Sequence, residues 1–169
     1  VNTPHAFHPG RVWRLGADID TDVLAPGAYM KHGIEVIAQH CLESVRPDFA
    51  PNVRPGDVIV AGPNFGIGSS REQAAGVLVH LGVSAVVAPS FSGLFFRNAF
   101  NLGLLLITCE PPLDVQDGET VTLLAQDPPL VQRHHGPAMV GAPVPSFLMD
   151  MVRAGGLMNV LRQRAQAVI

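Results

Sequence analysis

Gly62-Pro63-Asn64-Phe65-Gly66-Ile67-Gly68-Ser69-Ser70-Arg71-Glu72 is a glycine-rich turn that runs into two serines and an arginine. Before it, Asp57 to Ala61 reads as a short buried strand, and after it Gln73 to Leu81 carries apolar residues at helical spacing. The stretch is therefore a strand-to-helix turn. Each serine has a purely structural explanation, because Ser69 with Glu72 and Ser70 with Gln73 both match the capping-box pattern. Only one residue can be the N-cap, so the other hydroxyl is left without a structural task. Arg71 falls in the expected first turn, where the helix dipole disfavours a cation. It fits better against a bound anion, since helix amides and a forked guanidinium suit a carboxylate or phosphate.

The spacing separates this turn from familiar phosphate sites. A phosphate loop ends in Gly-Lys-Ser/Thr, and there is no lysine here. A dinucleotide fingerprint counted from Gly66 and Gly68 needs a small residue where Arg71 stands, and the Gly-x-Ser-x-Gly of a hydrolase elbow is absent. A carboxylate is the better anion.

On either side of the turn the pattern alternates. Val12 to Leu15 suggests a first strand, Ile34 to Val45 a helix, Val58 to Ala61 a second strand, and Ser84 to Ala88 a third. A helix from Ser92 to Leu102 and a strand from Leu104 to Thr108 follow. Strand, helix, strand in this order predicts an α/β fold with parallel crossovers. Beyond Pro111-Pro112, short strands at Thr120 to Leu124 and Leu130 to Arg133 flank the turn Asp127-Pro128-Pro129 and predict hairpins. Pro145 and Gly155-Gly156 bracket a helix over Ser146 to Ala154, and Leu157 to Val168 continues as a last amphipathic helix.

The 169 residues, 47% hydrophobic and 15% charged, suit one globular domain spanning 1–169. A net charge of -3 with 11 scattered basic residues gives no footprint for nucleic acid or an anionic membrane. His80 and Arg97-Asn98 interrupt the longest apolar runs, so no span is expected. The polar segment Val1 to Pro9 does not read as a secretory signal, and the expected location is the cytoplasm. Cys41 and Cys109, far apart and without a CxxC, predict buried free thiols rather than a disulfide framework or an iron–sulfur site. The seven histidines form no HExxH pattern and read as surface or packing residues.

Two further clusters carry weight. Asp18-Ile19-Asp20-Thr21-Asp22 opens like a calcium loop, but Val23 stands where glycine is needed and Tyr29 where glutamate is needed. An Asx-type turn with Asp18 and Asp20 capping backbone is the expectation. Phe91, Phe95, Phe96 and Phe100 predict aromatic packing around Arg97 and Asn98, whose polar groups are expected to make structural hydrogen bonds.

Together, Asp18 to Asp22, the Asn-Phe-Gly-x-Gly-Ser-Ser-Arg-Glu core within Gly62 to Ala75, Ser90 to Gly103, and Phe147-Leu148 with Gly155-Gly156-Leu157 resemble the aconitase swivel-domain family, in particular the small subunits of 3-isopropylmalate dehydratase. The match runs in order over most of the chain. It implies a swivel domain with mixed sheets, parallel βαβ crossovers and a C-terminal hairpin and helix region. That domain would close over an active site held mainly by a larger subunit, which carries a [4Fe-4S] cluster. The substrate implied is a small 2-hydroxy diacid, dehydrated and rehydrated in leucine biosynthesis, and the chain alone would be inactive.

Residue by residue, the resemblance assigns Ser69 as general base, Ser70 as its supporting neighbour, Arg71 as the grip on a substrate carboxylate, and Asp22 as an active-site aspartate. Tyr29, Met30, Lys31 and His32 fall where the family places its substrate-selecting loop. Lys31 and His32 give that loop a polar end that fits either a charged substrate arm or solvent. Sibling hydro-lyases acting on homoaconitate or a methyl-substituted malate therefore stand beside isopropylmalate. A non-catalytic dicarboxylate-binding regulatory module is the alternative from another class.

Overall fold

The structure is a computed structural model that describes residues 5–168. The first residues of the polar N-terminal segment lie outside the described residues. Among the described residues eight strands form one sheet, in the order Leu105–Thr108, Ala85–Ala88, Val58–Val60, Gly10–Arg14, Thr120–Ala125, Leu130–Arg133, Met139–Val140, and β1 (His5–Ala6) also pairs with Thr120–Ala125. Four parallel strands make one half: β2 (Gly10–Arg14), β3 (Val58–Val60), β4 (Ala85–Ala88) and β5 (Leu105–Thr108). The other half is antiparallel and contains β6 (Thr120–Ala125), β7 (Leu130–Arg133) and β8 (Met139–Val140). β2 belongs to both, since Gly10 and Arg11 pair with β6 while Val12 to Arg14 pair with β3.

β3 and β4 are buried at every position, as continuous apolar runs in a parallel sheet require. Right-handed crossovers that step steadily from β2 to β5 leave their helices on one face. There α2 (Ile34–Gln39), α4 (Gln73–His80) and α5 (Gly93–Asn101) pack side by side. Ala142 donates its amide to the Thr108 carbonyl at 2.8 Å, and Cys109 Sγ lies 3.4 Å from the Val140 carbonyl. These bonds join the two outer strands, β5 and β8, so the sheet curls towards closure and encloses the core. α6 (Ser146–Ala154) and α7 (Leu157–Ala167) pack against each other and against α5, with Gly155 left-handed between them. Both cysteines are buried free thiols.

Five elements differ from the sequence expectation. The helix expected over Ile34 to Val45 stops at Gln39, because Leu42 adopts a left-handed backbone (φ 62) and donates its amide to the Val23 carbonyl. Two short helices, α1 (Thr21–Leu24) and α3 (Phe49–Asn52), lie in stretches that carried no helical pattern. β1 and β8, each two residues long, were not anticipated.

Asp57, 5% exposed, stands at the start of β3. It accepts hydrogen bonds from Trp13 Nε1 (2.9 Å) and from the amides of Arg11 and Arg54. Trp13 packs edge-on against Phe49, with the Arg11 and Arg46 guanidinium groups over its ring at 4.3 and 4.8 Å. Arg46 in turn pairs with Asp48 and Asp117 and donates to the Arg14 carbonyl. This cluster fixes the end of the parallel sheet where β3 begins, opposite the site.

Candidate active site

The site forms at the carboxyl ends of β2, β3 and β4, where crevices form in open parallel sheets. Past the strands, the loops after β2 and β3 continue to pair. The Gly62 amide donates to Gly16, Asp18 to Pro63, Gly66 to Ile19, and Thr21 to Ile67, all at 2.7–3.0 Å. The loop after β4 holds the other edge: Phe65 donates to the Ser90 carbonyl, Ser92 to the Phe65 carbonyl, and the Asn64 amide to Ser90 Oγ. The glycine-rich stretch is thus a central strip clamped on both sides.

Two of its glycines are required by their surroundings. Gly66 has φ +82, and a Cβ there would lie 2.2 Å from Phe95 Cγ. Gly68 has φ +108, and its Cβ would meet Thr21 Oγ1 at 2.9 Å. The phenylalanine cluster forms the floor under this strip. Phe65 lies edge-on to Phe91 and Phe95, and Phe96 packs on Phe91 and Phe100, the aromatic packing expected from the sequence.

The strip delivers Ser69, Ser70 and Arg71 to the surface. Neither serine caps α4, contrary to the capping-box expectation. The helix begins at Gln73, its N-cap is Glu72, and no side chain bonds to the cap. Other elements take the serines' backbone groups instead. The Ser69 amide donates to Thr21 Oγ1 at 3.1 Å, and the Ser70 carbonyl accepts from Asn98 Nδ2 at 3.0 Å. Asn98 therefore makes the structural hydrogen bond expected of it, whereas Arg97 is exposed. With both serines held from outside, their hydroxyls are free of the helix.

Arg71 lies two residues before the helix rather than in its first turn. Its Nη1 is 3.2 Å from Asp22 Oδ1 and donates to the Ala25 carbonyl at 2.8 Å. Among the described residues Nε and Nη2 have no hydrogen-bond partner, so one edge of the fork remains open. Asp22 Oδ1 also accepts the Gly27 amide at 2.9 Å. That bond first, and then the guanidinium, hold the Asp22 carboxyl below its ordinary range. Asp22 is 69% exposed and Arg71 25%, and both serines are exposed, so the site is an open shelf. A carboxylate arriving at this shelf would meet a fixed, half-buried cation.

Asp20 caps α1 through the Val23 amide at 2.8 Å, as expected of an Asx turn. Asp18, with φ 58, instead accepts from Asn64 Nδ2. Gly27–Tyr29 forms a 3-10 turn that the Gly27–Asp22 bond ties to the site. The Tyr29 ring stacks on His40, with centroids 3.6 Å apart and planes 4° apart, and His40 pairs with Glu43. Met30 packs on the core, while Lys31 and His32 are exposed. Ser69, Ser70, Arg71 and Asp22 therefore come together, and the 29–32 segment adjoins them. Thr21 was missed by the sequence reading, although it stands between two noticed aspartates and is 3% exposed.

Among the described residues no group of three or more His, Cys, Asp or Glu comes together to hold a metal. Burial pushes the Cys41 thiol well above its ordinary pKa, and burial followed by the nearby Glu110 charge raises that of Cys109, which disfavours the thiolate that a cluster needs.

The comparison with protein families places residues 27–112, half the chain and most of the shelf, in the aconitase C-terminal domain. The chain belongs to the aconitase C-terminal domain family. Within that family it is 40% identical over 156 residues to the 3-isopropylmalate dehydratase small subunit 1 of Thermotoga maritima, covering 91% of this chain and 94% of the relative. It is 42% identical over 151 residues to the methanogen homoaconitase small subunit of Methanothermobacter thermautotrophicus, covering 89% and 88%. The crystal structure of 3-isopropylmalate dehydratase from Methanocaldococcus jannaschii superposes with a TM-score of 0.87 at 35% identity, covering 94% of this chain and 95% of that one. The curled mixed sheet is thus the fold of an aconitase C-terminal domain.

Proposed function

We propose that this chain is the small subunit of a 3-isopropylmalate dehydratase, isomerising 2- and 3-isopropylmalate by loss and return of water in leucine biosynthesis. In this reading the whole chain, 1–169, acts as one swivel domain that closes on a large cytoplasmic partner subunit. The chain's own thiols do not fit an iron–sulfur cluster, so the [4Fe-4S] group of the reaction belongs to that partner, and the isolated chain is inactive. The observation that carries the reading is the meeting of Ser69, Arg71 and Asp22 on one open shelf in a chain so similar to dehydratase small subunits.

The roles are those that the family resemblance implies, and the geometry supports them. Arg71 presents the open edge of its guanidinium to a substrate carboxylate, and Asp22 and the Ala25 carbonyl fix its other edge. Ser70, beside it, offers a hydroxyl to the same carboxylate. Ser69, in its anionic form, takes the proton from the substrate carbon onto Oγ. The C–H electron pair becomes the second bond of the alkene as the C–O bond on the neighbouring carbon breaks and its pair departs with the hydroxyl, which the partner's Lewis-acidic cluster would stabilise. Rehydration runs the same transfers in reverse. A serine works as a base near neutral pH only when its anionic form is stabilised. Arg71, and whatever donors the partner brings on closure, supply that stabilisation. Tyr29, Met30, Lys31 and His32 border the place where the substrate's side arm would lie.

Ser69→Ala in the reconstituted two-subunit enzyme tests the base. Turnover should fall by about 10²–10⁴-fold with assembly intact, the range typical of general-base removal. Retained turnover would refute the assignment.

A homoaconitase small subunit is the second reading, favoured by the 42% relative and by the exposed Lys31 and His32, which could meet a third carboxylate. Turnover of homoaconitate, with none of isopropylmalate, would decide for it.

A further inference from the structure

We infer that Thr21 is a positioning residue for Ser69, donating its hydroxyl proton to Ser69 Oγ. The inference rests on the reading of Ser69 as base. Thr21 Oγ1 lies 3.3 Å from Ser69 Oγ, and either atom could donate on geometry alone. Two observations choose between them. The Ser69 amide already donates to Thr21 Oγ1 at 3.1 Å, which occupies a lone pair and leaves the threonine proton to be placed. Among the described residues the only acceptor offered to that proton is Ser69 Oγ. Thr21 is also 3% exposed, so giving the proton to bulk water is not open to it.

The threonine is itself held fast. Its amide donates to the Ile67 carbonyl at 2.9 Å, it opens α1 directly after the capping Asp20, and Gly68 leaves room for its hydroxyl where any Cβ would intrude. A threonine hydroxyl so fixed favours the anionic form of Ser69 by a hydrogen bond that strengthens as charge develops on Oγ. Thr21 keeps its proton throughout, and the proton transferred is the one between the substrate carbon and Ser69. The charged groups on the elements meeting at Ser69 are Asp18, Asp20, Asp22, Arg71, Glu72 and Arg97. Substitution of Thr21 alters none of them.

The test is steady-state turnover of isopropylmalate against pH in the reconstituted, cluster-loaded two-subunit enzyme. The variants are Thr21→Val, which keeps the shape and removes the hydroxyl, Thr21→Ser, which keeps the hydroxyl, and Ser69→Ala. Thr21→Val should lower kcat by about ten- to a hundredfold, the range of a hydrogen bond to a charged group. KM should change little, and the ascending limb of the pH profile should move up by about one unit. Thr21→Ser should restore both. A lowered kcat with an unmoved limb, or a Thr21→Ser variant as impaired as Thr21→Val, would overturn the inference and reduce Thr21 to shaping the turn. Should Thr21→Val not assemble, Thr21→Cys with its weak S–H donor is read by the same shift of the limb. If Ser69→Ala is inactive while Thr21→Val behaves as wild type, only the threonine role fails. An active Ser69→Ala removes the base reading itself.

Discussion

Asp22 and Arg71 are joined by a single carboxylate oxygen: Oδ1 lies 3.2 Å from Nη1 and also receives the Gly27 amide. One atom thereby sets both the angle of the guanidinium and the start of the 27–32 segment. Asp22→Asn keeps an oxygen for Gly27 and removes the charge. KM for the diacid should rise about tenfold in the reconstituted enzyme, consistent with weakening a charge-assisted contact. Stability should change by less than about 1 kcal/mol, because the Asp22 carboxylate is largely exposed to solvent. Substrate titrations of the rate and denaturant unfolding check the two halves.

Arg71→Lys tests the fork. A lysine ammonium reaches as a point charge and cannot hold Asp22 and a substrate carboxylate along two edges at once. We expect kcat/KM to fall by about a hundredfold or more, with the subunits still co-eluting on gel filtration.

Gly66→Ala tests the seat of the strip. The new methyl would require φ +82 and would overlap Phe95. A loss of about 3 kcal/mol is expected in urea unfolding of the isolated chain.

Asp57→Ala probes the opposite end of the sheet. Removing a buried acceptor of three hydrogen bonds, one from Trp13 Nε1, should cost about 2–4 kcal/mol. Tryptophan fluorescence during denaturation reports it directly, since Trp13 is the only tryptophan in the chain.

Acid should loosen the Arg46 clamp in a defined window. The Arg46 hydrogen bond lowers the Asp117 carboxyl from its ordinary 3.8 to about 2. A carboxylate with a depressed folded pKa stabilises the protein above its unfolded value, and the contribution is lost as pH falls towards the folded one. Between pH near 4 and pH near 2 the chain should therefore lose about 1 kcal/mol through this group, allowing for its partial exposure. The loss should be absent in Asp117→Asn, as thermal melts across that range will show.

Much of this architecture is legible in the residues. Val58–Val60, Ala85–Ala88 and Leu105–Thr108 are continuous apolar runs between turn signals, which is how strands buried on both faces must look. Ser146–Ala154 is bracketed by Pro145 and by Gly155 in the left-handed region. Periodicity could not show the early end of the helix at Gln39. That end depends on Leu42 reaching the Val23 carbonyl across the chain, a tertiary contact. Capping spacing misled for a related reason, because Thr21 and Asn98 claim the serines' backbone groups from distant elements. One spare serine and Arg71 stood out because an unassigned hydroxyl and a misplaced cation are visible in a sequence, whereas Asp22 and the choice of Ser69 came only through the family resemblance. Thr21 did not, since its role exists only through a partner 48 residues away.

Gly66 is pressed against Phe95, and the Ser70 carbonyl is tied to Asn98, three residues further along the same helix. The turn proposed to carry the chemistry and the helix beneath it are therefore one inheritable part. A chimera that borrowed only the Ser-Ser-Arg turn from a relative would set it on a foreign mounting. The smallest segment worth exchanging between family members runs from the first of these glycines to the end of α5.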